Sequence, residues 1–352
     1  MREKQKVFVG LSGGVDSSVA ALALLKSGYD VIGVFIKTWH PDFLQCSEEE
    51  ERLDAMRVAA TLNIPFLTCD AETEYKRDVA DYMIREYREG RTPNPDIMCN
   101  RYVKFGAFLA FAKAHGADKI ATGHHARVFE RNGEFELLRG ADKNKDQSYF
   151  LWTLTKHELS QTLFPIGHMN KDEVRKVAEK ERLPTYSKPD SQGICFLGAV
   201  DVKEFLSHYI KPIPGDVLDR TGRKIGKHDG IVFYTVGQRH GFSITNVNTK
   251  AKPHYIVGKN IKQNTITVSN IRPKLETDTV NIGHTNWLID IQQDEMFDAQ
   301  FRYRQQPFHA ILTSKTDGHA ILTVDTNIDM PPEGQSCVLY QGDRCIGGGI
   351  IE

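Results

Sequence analysis

Ser12-Gly13-Gly14-Val15-Asp16-Ser17 stands between a short apolar run at 7–10 and a helix-like stretch at 17–25. Two adjacent glycines let the backbone approach a phosphate closely. The helix start that follows offers unpaired N–H groups and the positive end of a dipole. Serines on either side add hydroxyl donors. Gly10, Leu11, Ser12, Gly13, Gly14, Val15, Asp16 and Ser17 are therefore candidate nucleotide-binding residues. Asp16 is unexpected at an anion site. Its carboxylate suits a magnesium ion that itself holds phosphates, or the N-cap of a tight strand–helix turn. The turn lacks the G-x-x-x-x-G-K-S/T lysine that reaches β/γ-phosphates, which disfavours γ-phosphoryl transfer.

Two cysteines stand in settings that suit reactivity. In "GRTPNPDIMCNRYVKF" (90–105) the Asn94-Pro95-Asp96 segment reads as a rigid turn leading to Cys99. The thiol is then expected near the start of the next helix, where a thiolate is favoured; a small buried cysteine in a helix is the alternative. Cys195 lies in the Gly/Ser-rich loop "YSKPDSQGICFLG" (186–198), and polar loops are where reactive thiols concentrate. Only the fold can bring Cys99 and Cys195 together. Cys69, in an apolar strand, reads as core, while Cys46, Cys337 and Cys345 match no catalytic pattern.

Further polar groups could meet RNA. Gly123 and His124 follow an apolar run at 119–122 and should border the nucleotide; His125 reads as packing. Lys145-Asp146-Gln147 is either a solvated helix start or a contact to phosphate and base edges. Arg302-Tyr303-Arg304 combines two cations with a stacking ring. Strand alternation would place both arginines on one face, which is also how the polar outside of a barrel strand reads.

The elements that must hold these residues follow from the apolar pattern. Runs at 7–10, 31–36, 66–69 and 119–122 suit buried parallel strands. Helix-like stretches at 17–25, 48–62 and 72–87, and one from about 100, separate them. This alternation predicts an α/β, doubly wound parallel sheet with ligands at the carboxyl ends of its strands. Residues 126–140 read as a hairpin around Asn132-Gly133, 146–184 as helical, and 183–198 as loop. From about Lys211 onward, short strands with turn punctuation predict one or two small β domains.

Bulk properties narrow the class. The 352 residues carry a formal net charge of −1 and six cysteines without a C-x-x-C pair, so a disulfide scaffold or zinc ribbon is not expected. Neither a signal peptide nor a membrane-length apolar run is apparent, so the expected setting is the cytoplasm, away from membranes.

The first turn resembles the PP-loop of ATP pyrophosphatases, which cleave ATP between its α and β phosphates. The wider set "GLSGGVDSSVAALALL", "GRTPNPDIMCN", "ATGHHAR", "NKDQSYFLWTL", "DSQGICFLG", "TVGQRHG", "FRYRQ" and "GGGIIE" spans nearly the whole chain in order. It closely resembles the tRNA-specific 2-thiouridylases. That resemblance implies a PP-loop domain (1–210), a small central β-rich domain (211–280) and a C-terminal β-barrel (281–352). It implies ATP, with Mg2+ accompanying it near Asp16 and no protein-only metal site. It also implies 2-thiolation of the wobble uridine in tRNAs for Lys, Glu and Gln through an adenylated uridine, on a base extruded from the stack. In that reading Cys195 carries sulfur as a persulfide. Cys99 is the nucleophile, with hydrosulfide release or a transient Cys99–Cys195 disulfide, and Asp96 is the acid/base. Ile36 and Gly123 join the ATP contacts. Asn94, Pro95, Asp96, His124, Lys145, Asp146, Gln147, Arg302, Tyr303, Arg304 and Gln341 meet tRNA. A cysteine desulfurase or relay protein supplies sulfur, and a monomer suffices. Family members commonly have Met where this chain has Ile36; a backbone contact to adenine would survive that change. Competing expectations are another PP-loop ligase, such as a tRNA lysidine synthetase or an amidotransferase synthetase, a non-enzymatic nucleotide sensor, or a thiol redox protein.

Overall fold

The computed structural model describes residues 4–43, 48–189, 201–245 and 252–352. The first unit is a five-stranded parallel sheet in the order β3-β2-β1-β4-β7. Its strands are β1 (Lys6–Gly10), β2 (Asp30–Lys37), β3 (Phe66–Asp70), β4 (Lys119–Ala121) and, beyond a hairpin formed by β5 (Ala126–Arg131) and β6 (Glu134–Arg139), β7 (Thr162–Leu163). Successive side chains of β1 go to opposite faces. Val7 and Val9 pack with Ala21, Leu24, Ala55 and Val58 from α1 (Val15–Lys26) and α2 (Glu48–Thr61). Phe8 packs on the other face with Tyr75, Met83 and Phe108, from continuous helical runs at 72–88 and 95–114. The sheet is doubly wound, as the alternation predicts. The expected four strands all form. The 146–184 stretch is not wholly helical: β7 lies between helices Lys156–Ser160 and Lys171–Lys180, a two-residue strand too short to show period-two patterning.

The chain crosses from β1 to β2 on one side and later to β4 on the other, so the switch point falls between β1 and β4. A crevice opens there beyond the carboxyl ends of the strands. Gly10–Ser17 and Gly123 both sit at that point.

The central unit is a five-stranded sheet, β10-β9-β8-β12-β11. It is built from β8 (Gly215–Leu218), β9 (Lys224–His228), β10 (Ser243–Ile244), β11 (Tyr255–Asn260) and β12 (Thr265–Ser269) around Val217, Tyr234, Ile256 and Ile266. The last unit comprises β13 (Thr279–Trp287), β14 (Met296–Gln300), β15 (Phe308–Thr316), β16 (His319–Val324), β17 (Ser336–Gln341) and β18 (Arg344–Ile351). Because β13 pairs with both β16 and β18, these six strands close into a barrel around Phe297, Leu312, Leu322 and Leu339.

The β5–β6 hairpin forms about Asn132 (φ 54°) and Gly133 (φ 80°), as that dipeptide predicts. Its destination is unexpected. β6 joins β18 through the Leu138–Arg344 pair, so a ribbon from the first unit extends the barrel sheet. Among the described residues no helix is long and apolar enough to cross a membrane.

Candidate active site

Gly14 is the N-cap of α1, in extended backbone and with no side-chain cap. The first N–H groups of this 12-residue helix are thus left for something other than a side-chain cap. Gly13 has φ +69°, and a Cβ there would lie 2.6 Å from the Glu51 carbonyl oxygen, so glycine is required twice over. Ser12 and Ser17 hydroxyls stand 3.3 Å apart across the turn. Ser17 Oγ donates to the Gly14 carbonyl at 3.2 Å and Ser18 Oγ to the same oxygen at 2.7 Å. Leu11 and Val15 are buried, so these two offer backbone. Gly123 packs directly on the helix start: a Cβ would fall 2.7 Å from the Ser17 nitrogen. Ile36 lies beside Gly10, its Cδ1 3.6 Å from where a Cβ would sit.

Asp16 does not serve as the N-cap. Both its carboxylate oxygens accept from Lys171 Nζ, at 2.6 and 2.7 Å, and His125 Nε2 stands 3.6 Å from Oδ1. Burial opposes ionisation of Asp16, but His125 and the Lys171 ammonium outweigh it and hold the carboxyl below its ordinary pKa. A second lysine, Lys188, donates to the Gly13 carbonyl at 3.1 Å and pairs with Asp54 at 2.7 Å. Neither lysine is signalled by sequence spacing; each reaches the turn from more than one element away. Together they supply the cationic character that the loop itself lacks, and the arrangement fits a phosphate-bearing ligand. Among the described residues, no three His, Cys, Asp or Glu side chains gather as a metal site.

The Cys99 stretch departs from expectation at its helix boundary. The helix starts at Pro95, with Asn94 as N-cap accepting from the Ile97 N–H at 3.4 Å. Cys99 therefore falls in the second turn and is buried, beyond the first-turn reach of the dipole. Asp96 takes the first-turn position instead. Burial nevertheless raises its pKa, with Lys104 opposing. A carboxyl biased toward its protonated form, three residues before a cysteine on the same helical face, is suited to proton transfer. Cys195 lies outside the described residues, and with it the proposed pairing to Cys99. Cys69 is core, its thiol pushed up to about 11 by burial.

Loop 90–94 is held from all sides. Arg91 forms a fork with Glu86 at 2.6 and 2.8 Å. Thr92 meets Thr235 of the central unit at 3.0 Å, its N–H donates to Glu333 at 2.8 Å, and its carbonyl accepts from Gln335 at 2.8 Å. Lys259 of β11 donates to the Gly90 carbonyl at 2.6 Å.

The expected RNA contacts divide. Phe301–Arg304 is a bend after β14, with Arg304 at φ 61°, so Arg302 and Arg304 do not share a strand face. Both are exposed and, with Tyr303, Arg272 and Asp329, line a cleft of about 230 Å³. Tyr303 packs against Phe150 with centroids 4.6 Å apart, and Arg304 lies 5.0 Å over its ring. Arg272 was not singled out by sequence. Gln341 is exposed at the end of β17.

His124 turns inward: its Nδ1 is 2.7 Å from Thr122 Oγ1, its ring packs near Phe105 and Phe164, and burial drives its pKa well below the ordinary value. Its side chain is buried. Asp146 is also buried, accepting from Arg139, Gly140 N–H, and both Ser148 groups at 2.9–3.0 Å. Gln147 accepts from His125 N–H at 2.9 Å. The following residues bind the barrel: Tyr149 donates to Ser336 at 2.9 Å, and Asn286 donates to the Trp152 and Leu154 carbonyls at 2.7 and 2.9 Å. The 144–154 motif is chiefly an interdomain seam; within the 145–147 triplet Asp146 is buried, and Lys145 and Gln147 are half-buried.

Three family models cover the chain in succession. They are a tRNA methyl transferase HUP domain (5–199), a tRNA methyl transferase PRC-barrel domain (203–270) and an aminomethyltransferase beta-barrel domain (277–351). The tRNA-specific 2-thiouridylase MnmA of Geobacillus thermodenitrificans is 44% identical over 353 residues, covering 99% of this chain and 94% of that protein. The protein of the same name from Shouchella clausii is 44% identical, covering 100% of this chain and 97% of its own length. The Bacillus subtilis MnmA is 42% identical, with 99% and 95% covered.

Proposed function

The chain belongs to the tRNA-specific 2-thiouridylase family, and on that premise we propose that it replaces the 2-oxygen of the wobble uridine in tRNAs for Lys, Glu and Gln with sulfur, using ATP. Within this reading, the observation that carries most weight is Asp96 and Cys99 on one helical face, on a loop that the other two units grip.

ATP with Mg2+ supplies the activation: O2 of the uracil bonds to the α-phosphorus, pyrophosphate leaves, and the uridine is adenylated. The uncapped start of α1 and the Ser12 and Ser17 hydroxyls receive phosphate oxygens. Lys171 and Lys188 balance their charge, and Asp16, kept ionised, is the residue for the magnesium side. Ile36 and Gly123 border the nucleotide. Asp96, whose carboxyl burial holds above the ordinary aspartate range, exchanges a proton with the uracil ring as charge develops there. Cys195 presents the terminal sulfur of a persulfide, which attacks C2; AMP departs with the former O2. Cys99, as thiolate, then attacks the Cys195 sulfur. The S–S bond to the uridine breaks, 2-thiouridine is released and a Cys99–Cys195 disulfide forms, which an external thiol must reduce. In the hydrosulfide variant Cys99 attacks the persulfide first and HS⁻ goes to C2. A cysteine desulfurase or relay protein loads Cys195. The tRNA lies along Asn94, Pro95, Lys145, Arg302, Tyr303, Arg304 and Gln341, and a monomer completes the reaction.

The test is direct. The protein is incubated with unmodified tRNA, ATP, magnesium and a persulfide-generating desulfurase, and 2-thiouridine is measured in the digested tRNA. ATP-dependent 2-thiouridine, lost in Cys99→Ser and Cys195→Ser, is expected. Pyrophosphate release without thiouridine would overturn the acceptor assignment.

A further inference from the structure

Lys259 leaves β11 of the central unit and ends between two backbone carbonyls. Its Nζ donates to Gly90 and to Tyr234, each at 2.6 Å. Among the described residues, no carboxylate forms an ion pair with it. Burial pushes its pKa down to about 8, against the attraction of Glu333. An ammonium held by neutral carbonyls is an expensive way to dock two units, since desolvating the charge costs more than desolvating an amide. A cation does, however, bind two convergent carbonyls more tightly than a neutral donor can.

What it holds is the base of the 90–94 loop. Gly90 has φ +81°, and a Cβ there would strike Ile261 Cδ1 at 2.7 Å, so the central unit presses on the loop at this point. Two residues on, Thr92 meets Thr235 and, through its N–H and carbonyl, Glu333 and Gln335. Gly334 also comes close: a Cβ there would fall 3.1 Å from the Thr92 nitrogen. Asn94 then caps the helix that carries Asp96 and Cys99. Among the described residues, the first of these ties, and the only charged one from the central unit, is Lys259.

We propose that Lys259 is a positioning residue: by fastening Gly90 to the central unit it sets the loop from which Asp96 and Cys99 are presented. It touches neither reacting group. The catalytic consequence rests on the thiolation reading, whereas the mechanical one does not. A displacement of about 1 Å in such groups costs on the order of 100-fold in rate.

The experiment compares the full-length protein with Lys259→Met, which keeps the side-chain length and removes the charge. Hydrogen exchange without substrates is followed for peptides spanning 88–99. Exchange roughly 10- to 100-fold faster there, with peptides from β1 and α1 unchanged, is expected. In the thiolation assay kcat should fall at least about tenfold, while KM for ATP and for tRNA stays within about twofold. Unchanged exchange at 88–99 overturns the proposal. So does faster exchange with kcat unaltered, because Lys259 would then only dock the units. If wild type makes no 2-thiouridine, the thiolation reading fails on its own, and the exchange comparison still decides whether Lys259 holds the loop. Should Lys259→Met not fold, Thr235→Val removes the neighbouring tie and is read the same way, with changes of about threefold expected.

Discussion

At the scale of single residues, environment alters what residue type promises. The family resemblance made Asp96 the candidate acid/base, and its burial suits that proposed role, because the charged form is disfavoured. Its folded pKa is raised, so the folded state binds the proton more tightly than the unfolded chain. Stability therefore falls as pH climbs from the unfolded aspartate value of about 3.9 through the raised value, and the loss persists above it. Asp96→Asn should raise the melting temperature at neutral pH but not at about pH 3, while thiolation falls about 100-fold or more. Scanning calorimetry at the two pH values, beside the thiouridine assay, checks both. Cys99 was expected just ahead of a helix from about residue 100, yet it is the fifth residue of one that starts at Pro95, because Pro95 is accepted at a helix start as readily as in a turn. For His124 and Asp146, only the packed structure reveals that the His124 Nδ1 and the Asp146 carboxylate already have partners inside the protein.

At the scale of elements, the strand–turn–helix at 6–26 was fully legible, since glycine, serine and apolar periodicity act locally. Its partners were not. Lys171 reaches Asp16 from a helix far along the chain, and no spacing rule connects them. Lys171→Met leaves Asp16 partly buried with His125 as its remaining partner, and should destabilise the protein by about 1.5–3 kcal/mol. Because the Asp16 pKa is lowered, that contribution is fully present above the unfolded value of about 3.9 and is lost as pH falls through the folded value. Urea titrations at neutral and acid pH should show the wild-type advantage shrinking toward acid. Gly123→Ala would push a methyl against the Ser17 nitrogen, displacing the start of α1. A loss of about 1–3 kcal/mol is expected, with weaker binding of a fluorescent ATP analogue.

At the scale of the whole molecule, a parallel sheet followed by one or two small β units could be read from periodicity and turn signals, and their division into a small unit and a barrel came with the family resemblance. How the units meet could not, because the contacts use single side chains on separate elements. The cleft lined by Arg302, Arg304 and Arg272 faces outward across the junction of the last two units. Arg304→Gln should weaken tRNA binding and lower the slope of log affinity against log salt by about one; filter binding over a salt series measures it. Asn286→Ala removes both donors from the barrel to Trp152 and Leu154. It should cost about 1–3 kcal/mol without altering the salt slope.

The β5–β6 ribbon carries a consequence in time. During synthesis Leu138 emerges long before its partner Arg344, and the Glu333 and Gln335 ties to Thr92 arrive equally late. An early-made half can build its sheet on the ribosome as a unit, yet its reactive loop lacks the Glu333 and Gln335 ties until the barrel closes. Nascent chains stalled before residue 333 should therefore hold a formed nucleotide crevice beside a thiol loop tied by Glu86, Thr235 and Lys259 but not by the barrel. Competence for chemistry is then a property conferred by the completion of translation.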